Sequence, residues 1–513
     1  MNRWLFCVAL VVMPAVALAQ TPCEGLKSLS LPNATITAAE ALPAGAFQAP
    51  GTPPPPPAML PARCRVAAVL TPSADSHIEM ELWLPAENWN GKFEAIGNGG
   101  WAGAIAFLDF GGQQAPRSMV SALKEGYAVA SNDTGHKGTA LDASFALGHP
   151  EKLLDFASRA VHEMVVQSKT IVGKFYGSAP KYSYWNGCST GGRQGLMEAQ
   201  RYPEDFDGIA AGAPANYWTH EMVGIVGAAQ ATLKDQPGNL PAEKLSLLHD
   251  AVLRECDALD RVKDGVLNNP TACRFDPKTL ECKGADGPGC LTQKQVEGAR
   301  RMYSGAINPR TNQKIYPGMA FGSELGWDPA NSLQPFPFAE SYFRYVVFKD
   351  PAWDYRKLNL DSDVALTDKT DDGLINAIDP NLQPFFAHGG KLIQYHGWSD
   401  QQISPYSSVN YYESVVARLG GVSKTHDSYR LFMVPGMGHC RGGDGPNQFS
   451  PMGALERWRE SNIAPSQITA MHVTNGVVDT VRPLCPYPQV AVYKGSGSTN
   501  DAANFSCKAA PRN

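Results

Sequence analysis

No run of lysine and arginine occurs anywhere in this sequence, and its formal net charge is −5 at pH 7. The electrostatic footprint of a nucleic-acid-binding surface is therefore missing, and neutral or weakly anionic small molecules suit the charge balance better. Beyond the first twenty residues there is no uncharged apolar stretch long enough to span a bilayer, so no membrane helix is expected there. No C-x-x-C pair is present, which leaves a zinc ribbon or a thioredoxin-like centre without support. Charged residues are only 18% and hydrophobic ones 43%, a globular rather than a disordered composition. At 513 residues, and roughly 150 per domain, the chain is one large domain with insertions or two to three domains.

What is present begins with an export signal. Arg3, the apolar Trp4 to Leu18 and Ala17-Leu18-Ala19 give a basic start, a hydrophobic region and a small-x-small cleavage site. Residues 1–19 thus read as a signal peptide, and a secreted or periplasmic protein follows. Of eleven cysteines only Cys7 lies in that segment, and the even remainder suits disulfides in an oxidising compartment. Proximity suggests Cys256 with Cys273, Cys282 with Cys290 and Cys485 with Cys507. Cys23 and Cys64 bracket a proline run, Pro53 to Pro57, expected as surface polyproline II; a bridge between them would tie down the N-terminus.

The chain then alternates between strands and turns. His77 to Pro85 and Lys92 to Ile96 have strand patterns, and Gly97-Asn98-Gly99-Gly100 follows the second. This glycine turn does not meet the G-x-G-x-x-G dinucleotide spacing. Tyr127 to Ser131 is another strand; Asp133 and His136 after it are read as turn residues, not catalytic ones. Helical spacing over Leu153 to Phe175 leads into Tyr184-Trp185-Asn186-Gly187-Cys188-Ser189-Thr190-Gly191-Gly192-Arg193. Gly-x-Ser-x-Gly between a strand and a helix, the latter read over Gly195 to Tyr202, is the pattern of a nucleophile elbow.

From about Asn216 to His388 the composition turns aromatic and proline-rich, with four cysteines and no βα alternation. Residues 216–388 are read as a lid domain inserted into an α/β catalytic domain of residues 20–215 and 389–513. Within the lid, Asp257, Asp260 and Asp264 precede Gly265. Together with the carbonyls of Val262 and Val266 they offer the hard oxygen ligands of a Ca²⁺ loop, although solvated turn carboxylates explain the spacing equally well. Lys391 to Asp400 and Tyr429 to Cys440 return to strand-and-turn pattern, placing Asp400 and His439 after successive strands. The order Ser189, Asp400, His439 is that of α/β-hydrolases.

The chemistry follows from residue type. A serine hydroxyl is a weak nucleophile unless a histidine takes its proton and an acid fixes that histidine, here His439 and Asp400. The oxyanion would be held by the N–H of Thr190 and one from the Gly99-Gly100 turn. His396, four residues before Asp400, is the rival base and otherwise reads as structural or substrate-facing. Cys188 precedes the serine and Cys440 follows the histidine, so a disulfide between them would clamp the two loops; two buried free thiols are the alternative.

Gly187 to Arg193, His396-Gly397-Trp398-Ser399-Asp400 and Pro435-Gly436-Met437-Gly438-His439-Cys440 together resemble the tannase and feruloyl esterase family, which includes mono(2-hydroxyethyl) terephthalate hydrolases. The resemblance extends to Gly97 to Gly100 and to Arg482-Pro483-Leu484-Cys485-Pro486-Tyr487-Pro488. It implies an α/β-hydrolase fold with a large lid, the triad Ser189, Asp400 and His439, and structural Ca²⁺ at Asp257, Asp260, Val262, Asp264 and Val266. It also implies the pairs Cys23 with Cys64 and Cys188 with Cys440. Where a terephthalate hydrolase of that family carries Glu and Phe, this chain has Thr190 and Ile403. That departure favours a hydroxycinnamoyl ester over a terephthalate monoester, with gallate esters the other alternative. His396 and Ile403 are the expected substrate contacts, and Trp327 to Trp353 the expected lining of the acyl pocket. A secreted binding protein that keeps the fold without turnover is the reading from another class, and the intact Ser, His and Asp set opposes it.

Overall fold

The computed structural model describes residues 21–50, 56–108, 117–233, 236–331 and 336–509. The signal segment and the first part of the proline run lie outside them. Nine strands form one sheet: β1 (Ala34–Leu42), β2 (Arg63–Leu70), β3 (Ile78–Pro85), β4 (Lys92–Ile96), β5 (Ala128–Asn132), β6 (Tyr182–Cys188), β7 (Gly208–Gly212), β8 (Lys391–Gly397) and β9 (Tyr429–Val434). Their spatial order is β1-β2-β3-β5-β4-β6-β7-β8-β9. β1, β2, β3 and β5 pair antiparallel, and from β5 through β9 every neighbour is parallel. Apart from the added edge strand β1, this is the strand order of an α/β-hydrolase, as the sequence led us to expect.

Parallel strands need crossovers, and these put helices on both faces of the sheet. The helices on the sheet are α1 (Met119–Lys124), α2 (Ala160–Tyr176), α3 (Thr190–Arg201), α5 (Pro405–Leu419) and α6 (Pro451–Ser461), whereas α4 (Trp218–Thr232) packs within the segment inserted after β7. Burial on both faces explains why β6 reads as a continuous aromatic run. Its Trp185 packs with Ile209, Leu392 and Leu431 under α2, α3 and α5, whereas Tyr184 packs with Ala210, Ile393 and Phe432 under α1 and α6. The expected helix over Leu153 to Phe175 is interrupted by a π-turn at Asp155–Arg159. There the buried Asp155 takes hydrogen bonds from Arg159 (2.6 Å) and Ser76 (3.2 Å). The elbow helix starts at Thr190, five residues before the expected Gly195, because the turn itself is its first turn.

The chain leaves the sheet at Gly212 and returns at Lys391. Among the described residues, the intervening segment is helices and turns with a single two-stranded ribbon, Ala306–Ile307 against Lys314–Tyr316. It has one apolar cluster of its own, around Leu248, Leu291 and Trp327, and shares a second, around Trp218, Tyr342 and Phe343, with Trp101, Phe156 and Ile403 of the sheet domain. Five disulfides join Cys23 to Cys64, Cys188 to Cys440, Cys256 to Cys273, Cys282 to Cys290 and Cys485 to Cys507. All of these pairings match the expectations. No helix among the described residues is long and apolar enough to cross a membrane.

Candidate active site

Four parallel strands deliver the site. Gly97–Gly100 follow β4, Ser189 follows β6, Asp400 follows β8 and His439 follows β9, so all of them gather at the carboxyl edge of the sheet, where open α/β sheets bind ligands. Ser189 has φ 63° and ψ −124°, a strained conformation for a residue with a side chain, and lies between β6 and α3. The flanking glycines make that turn possible. A Cβ on Gly187 would lie 2.7 Å from the backbone of Gly191, and one on Gly192 would lie 2.2 Å from the Gly212 carbonyl. The Ser189 N–H donates to that same carbonyl at 3.0 Å, fixing the elbow against β7.

The acid and the base are joined directly. His439 Nδ1 lies 2.8 Å from Asp400 Oδ2, and because an ionised carboxylate only accepts, Nδ1 carries the proton and Nε2 is left to act as a base. Asp400 is fully buried. Burial alone would raise its pKa, but the charge His439 carries once it takes a proton, together with hydrogen bonds from both His396 and His439, outweighs it and holds the carboxyl far below the usual carboxylate range. Its other oxygen accepts the N–H groups of Gln402 (2.8 Å) and Ile403 (2.9 Å). The Gln401 side chain accepts the His439 N–H at 3.2 Å, steadying the histidine loop. The Cys188–Cys440 disulfide, with Cα atoms 6.0 Å apart, ties the residue before the serine to the residue after the histidine.

The glycine turn meets the elbow. Thr190 Oγ1 donates to the Gly100 carbonyl at 2.7 Å. Gly100 has φ +54°, and a Cβ there would lie 2.1 Å from the Ala140 carbonyl, so only glycine fits. The N–H of Thr190 belongs to the first turn of α3, where backbone donors have no partner within the helix. Asp133 closes the turn after β5 by accepting from Glu79 N–H and Gly135 N–H, as a turn residue should.

The two expected substrate contacts are both buried. His396 is not at a binding surface: it is fully buried, and both ring nitrogens are occupied by protein groups, among them Asp400 Oδ2 at 3.1 Å. The side chain of Ile403, 3% exposed, packs in the apolar cluster that holds Trp101, Ala215 and Phe338. Trp327 and Trp353, the ends of the expected acyl-pocket segment, are buried in the inserted segment, Trp353 against Phe343 and Phe348. Residues 332–335 of that stretch lie outside the described residues. Its remainder does reach the catalytic loops, since Trp101 Nε1 donates to the Phe338 carbonyl at 3.0 Å.

Sequence reasoning gave no role to Arg193. Its guanidinium is fully buried over the rings of Phe156 and Trp218 and donates to the carbonyls of Ala157 (2.8 Å), Phe156 and Ile375 (3.2 Å each). Burial pushes its pKa down to about 9. A charged residue in the first turn after an elbow was the available signal.

The carboxylates expected to hold calcium share one loop. Asp257 accepts from Gly265 N–H (3.1 Å), Asp260 from Val262 N–H (2.9 Å) and Asp264 from Arg482 (2.9 Å). Burial, together with repulsion from Asp264 and Asp257, pushes Asp260 up to about 6. Carboxylate and carbonyl oxygens on one loop are the donor type a hard divalent cation takes, although ligand oxygens from Asp257, Asp260 and Asp264 do not all lie within 4.8 Å of one another.

The chain has relatives of known family. The family described as "Tannase and feruloyl esterase" matches residues 64–508. An uncharacterized esterase of Xanthomonas campestris pv. campestris is 38% identical, covering 98% of this chain and 94% of its own length. A probable feruloyl esterase B-2 of Aspergillus oryzae is 35% identical over 86% of each chain. The crystal structure of feruloyl esterase B from Aspergillus oryzae superposes with a TM-score of 0.87 at 31% identity, covering 95% of this chain and 99% of that one. The tannin acyl hydrolase of Aspergillus niger, at 24% identity and a TM-score of 0.75 over 96% of this chain and 93% of that one, shares the fold. An elbow serine, a paired acid and base and a disulfide between their loops thus sit in a chain that belongs to the tannase and feruloyl esterase family.

Proposed function

We propose that this chain is an exported serine esterase that hydrolyses esters of aromatic acids, of the hydroxycinnamoyl (feruloyl) type, through an acyl-enzyme on Ser189. The observation that carries the proposal is the 2.8 Å pairing of Asp400 with His439 on loops bridged by Cys188–Cys440. In the first half-reaction His439 Nε2 takes the Ser189 proton as Oγ attacks the acyl carbonyl, and returns it to the departing alcohol. Water then repeats the sequence on the acyl-enzyme. The N–H groups of Thr190 and the Gly99-Gly100 turn hold the oxyanion in both halves.

The likeness to feruloyl esterase B at 31% identity supports the hydroxycinnamoyl class. The inserted segment acts as the lid that selects the acyl group, in keeping with its contacts to the catalytic loops: Trp101 with Phe338, Ser399 with Gly322 and Ser404 with Gly318. Structural Ca²⁺ is held by Asp257, Asp260 and Asp264 with the Val262 and Val266 carbonyls; when bound, it neutralises the crowded carboxylates and stiffens the loop. A panel of methyl ferulate, methyl gallate and a terephthalate monoester tests the assignment: kcat/KM is highest for ferulate, and a higher value for either rival reassigns the substrate.

A further inference from the structure

Behind the triad lies a second set of side chains that the mechanism above does not use. Tyr429 Oη donates to Gln394 Oε1, Gln394 Nε2 donates to Ser408 Oγ at 2.7 Å, and Ser408 Oγ lies 2.7 Å from His396 Nδ1. His396 Nε2 in turn lies 3.1 Å from Asp400 Oδ2 and 3.2 Å from the Ile403 carbonyl. Tyr429, Gln394, Ser408, His396 and Asp400 are all fully buried. They come from β8, β9, α5 and the turn between β8 and α5.

Proton positions along this row follow from what each atom faces. Nε2 of His396 meets a carboxylate and a carbonyl, both acceptors, so it carries the proton. The tyrosine hydroxyl orients the Gln394 amide, which therefore presents its N–H to Ser408. With that lone pair taken, the Ser408 hydroxyl is free to donate to His396 Nδ1. His396 is thereby fixed as the neutral Nε2–H tautomer and cannot serve as a general base. Asp400 receives four donors, from Gln402, Ile403, His396 and His439, which is about the number of lone-pair sites a carboxylate has. The other titratable groups facing it are Glu221 on α4 and Tyr316; burial pushes the pKa of both upward, and the negative charge of Asp400 adds to it.

We propose that His396, locked by the row Tyr429–Gln394–Ser408, is a positioning residue for the reaction: it pins Asp400 in the orientation and ionised state that His439 needs. The proposal rests on the assignment of Asp400 and His439 as acid and base. His396 acts only through Asp400, so its loss affects the chemical step and not substrate binding. A carboxylate freed of one donor also holds the protonated form of its remaining imidazole partner more tightly, so the rate profile responds to pH in a defined direction.

The test compares His396→Leu, His396→Gln, Ser408→Ala and Asp400→Asn with the parent enzyme on methyl ferulate or a nitrophenyl ester, each checked for folding by circular dichroism. His396→Leu lowers kcat on the order of 10-fold to 100-fold, changes KM by less than about twofold, and moves the acid limb of kcat/KM to higher pH. His396→Gln, which can still offer an N–H to Asp400, recovers much of the rate. Ser408→Ala shows the same changes more weakly, and it carries the test should His396→Leu not fold. A folded His396→Leu or Ser408→Ala enzyme with parental kcat and pH profile overturns the proposal. Asp400→Asn separates the two claims: if it is inactive while His396→Leu is not, only the positioning role fails, and if it is active the triad assignment fails first.

Discussion

The hydroxyl of Thr190 reaches back to the Gly100 carbonyl at 2.7 Å, so the residue after the nucleophile is bonded to the glycine turn that follows β4. Both proposed oxyanion donors are thereby held in one piece. Thr190→Val keeps the shape and removes this bond, and kcat is expected to fall about tenfold with little change in KM. Gly100→Ala drives a methyl into the Ala140 carbonyl and lowers kcat further, by on the order of 100-fold. Steady-state kinetics on methyl ferulate checks both.

The disulfide between Cys188 and Cys440 closes a loop of 252 residues. Restricting so long a loop in the unfolded chain is worth on the order of 5 kcal/mol in the chain-entropy account, an upper value. The double variant Cys188→Ala/Cys440→Ala therefore melts at a markedly lower temperature. Its kcat also falls at temperatures where it remains folded, because the serine and histidine loops are no longer tethered. Calorimetry and kinetics on the same sample distinguish the two effects.

Asp400 and Asp260 titrate in opposite senses. The folded-state pKa of Asp400 lies below its unfolded value of roughly 3.9, so its contribution to stability is present above that pH and is lost as pH falls through the folded value. The stability difference between the parent and Asp400→Asn should thus shrink on acidification. Asp260 is raised to about 6 without metal. The folded protein then holds a proton that the unfolded chain releases, so metal-free stability declines as pH rises from about 4 to about 6.

Calcium bound at the proposed site would offset that decline. Chelation should lower the melting temperature by about 5 °C or more at pH 7 and by less at pH 5, and added Ca²⁺ should restore it. An unchanged melt at both pH values, with no bound metal, would count against the site.

Arg193 ties the elbow helix to the π-turn region and to the inserted segment through the carbonyls of Phe156, Ala157 and Ile375. Arg193→Met removes these buried hydrogen bonds and the ring contacts and is expected to cost about 3 kcal/mol in denaturant unfolding. Arg193→Lys recovers only part of this, since one ammonium cannot reproduce the planar fork.

Much of this architecture was legible in the residue order because local rules agree with the fold. Alternation and apolar runs marked β3 to β6, β8 and β9, and glycines on either side of Ser189 marked the elbow. Adjacent cysteines pointed from Ser189 to His439 across the whole insertion. What escaped was decided by contacts distant in sequence. His396 read as structural or substrate-facing; the structural alternative holds, but its partners Ser408, fixed by Gln394, and Asp400 were not legible. Ile403 read as a pocket residue, and residue type alone did not show that its N–H also holds Asp400, its carbonyl faces His396 and its side chain packs against the insertion. The role of Arg193 depends on Trp218 and Ile375, which no local pattern connects to it.

The central claim is that Ser189, activated by His439, forms the covalent intermediate. Labelling with a fluorophosphonate, followed by peptide mapping by mass spectrometry, tests it most directly. The account predicts one adduct per chain, on Ser189, slowed sharply in His439→Ala and absent in Ser189→Ala together with ester hydrolysis. An adduct on any other residue, or hydrolysis that persists in Ser189→Ala, would contradict it.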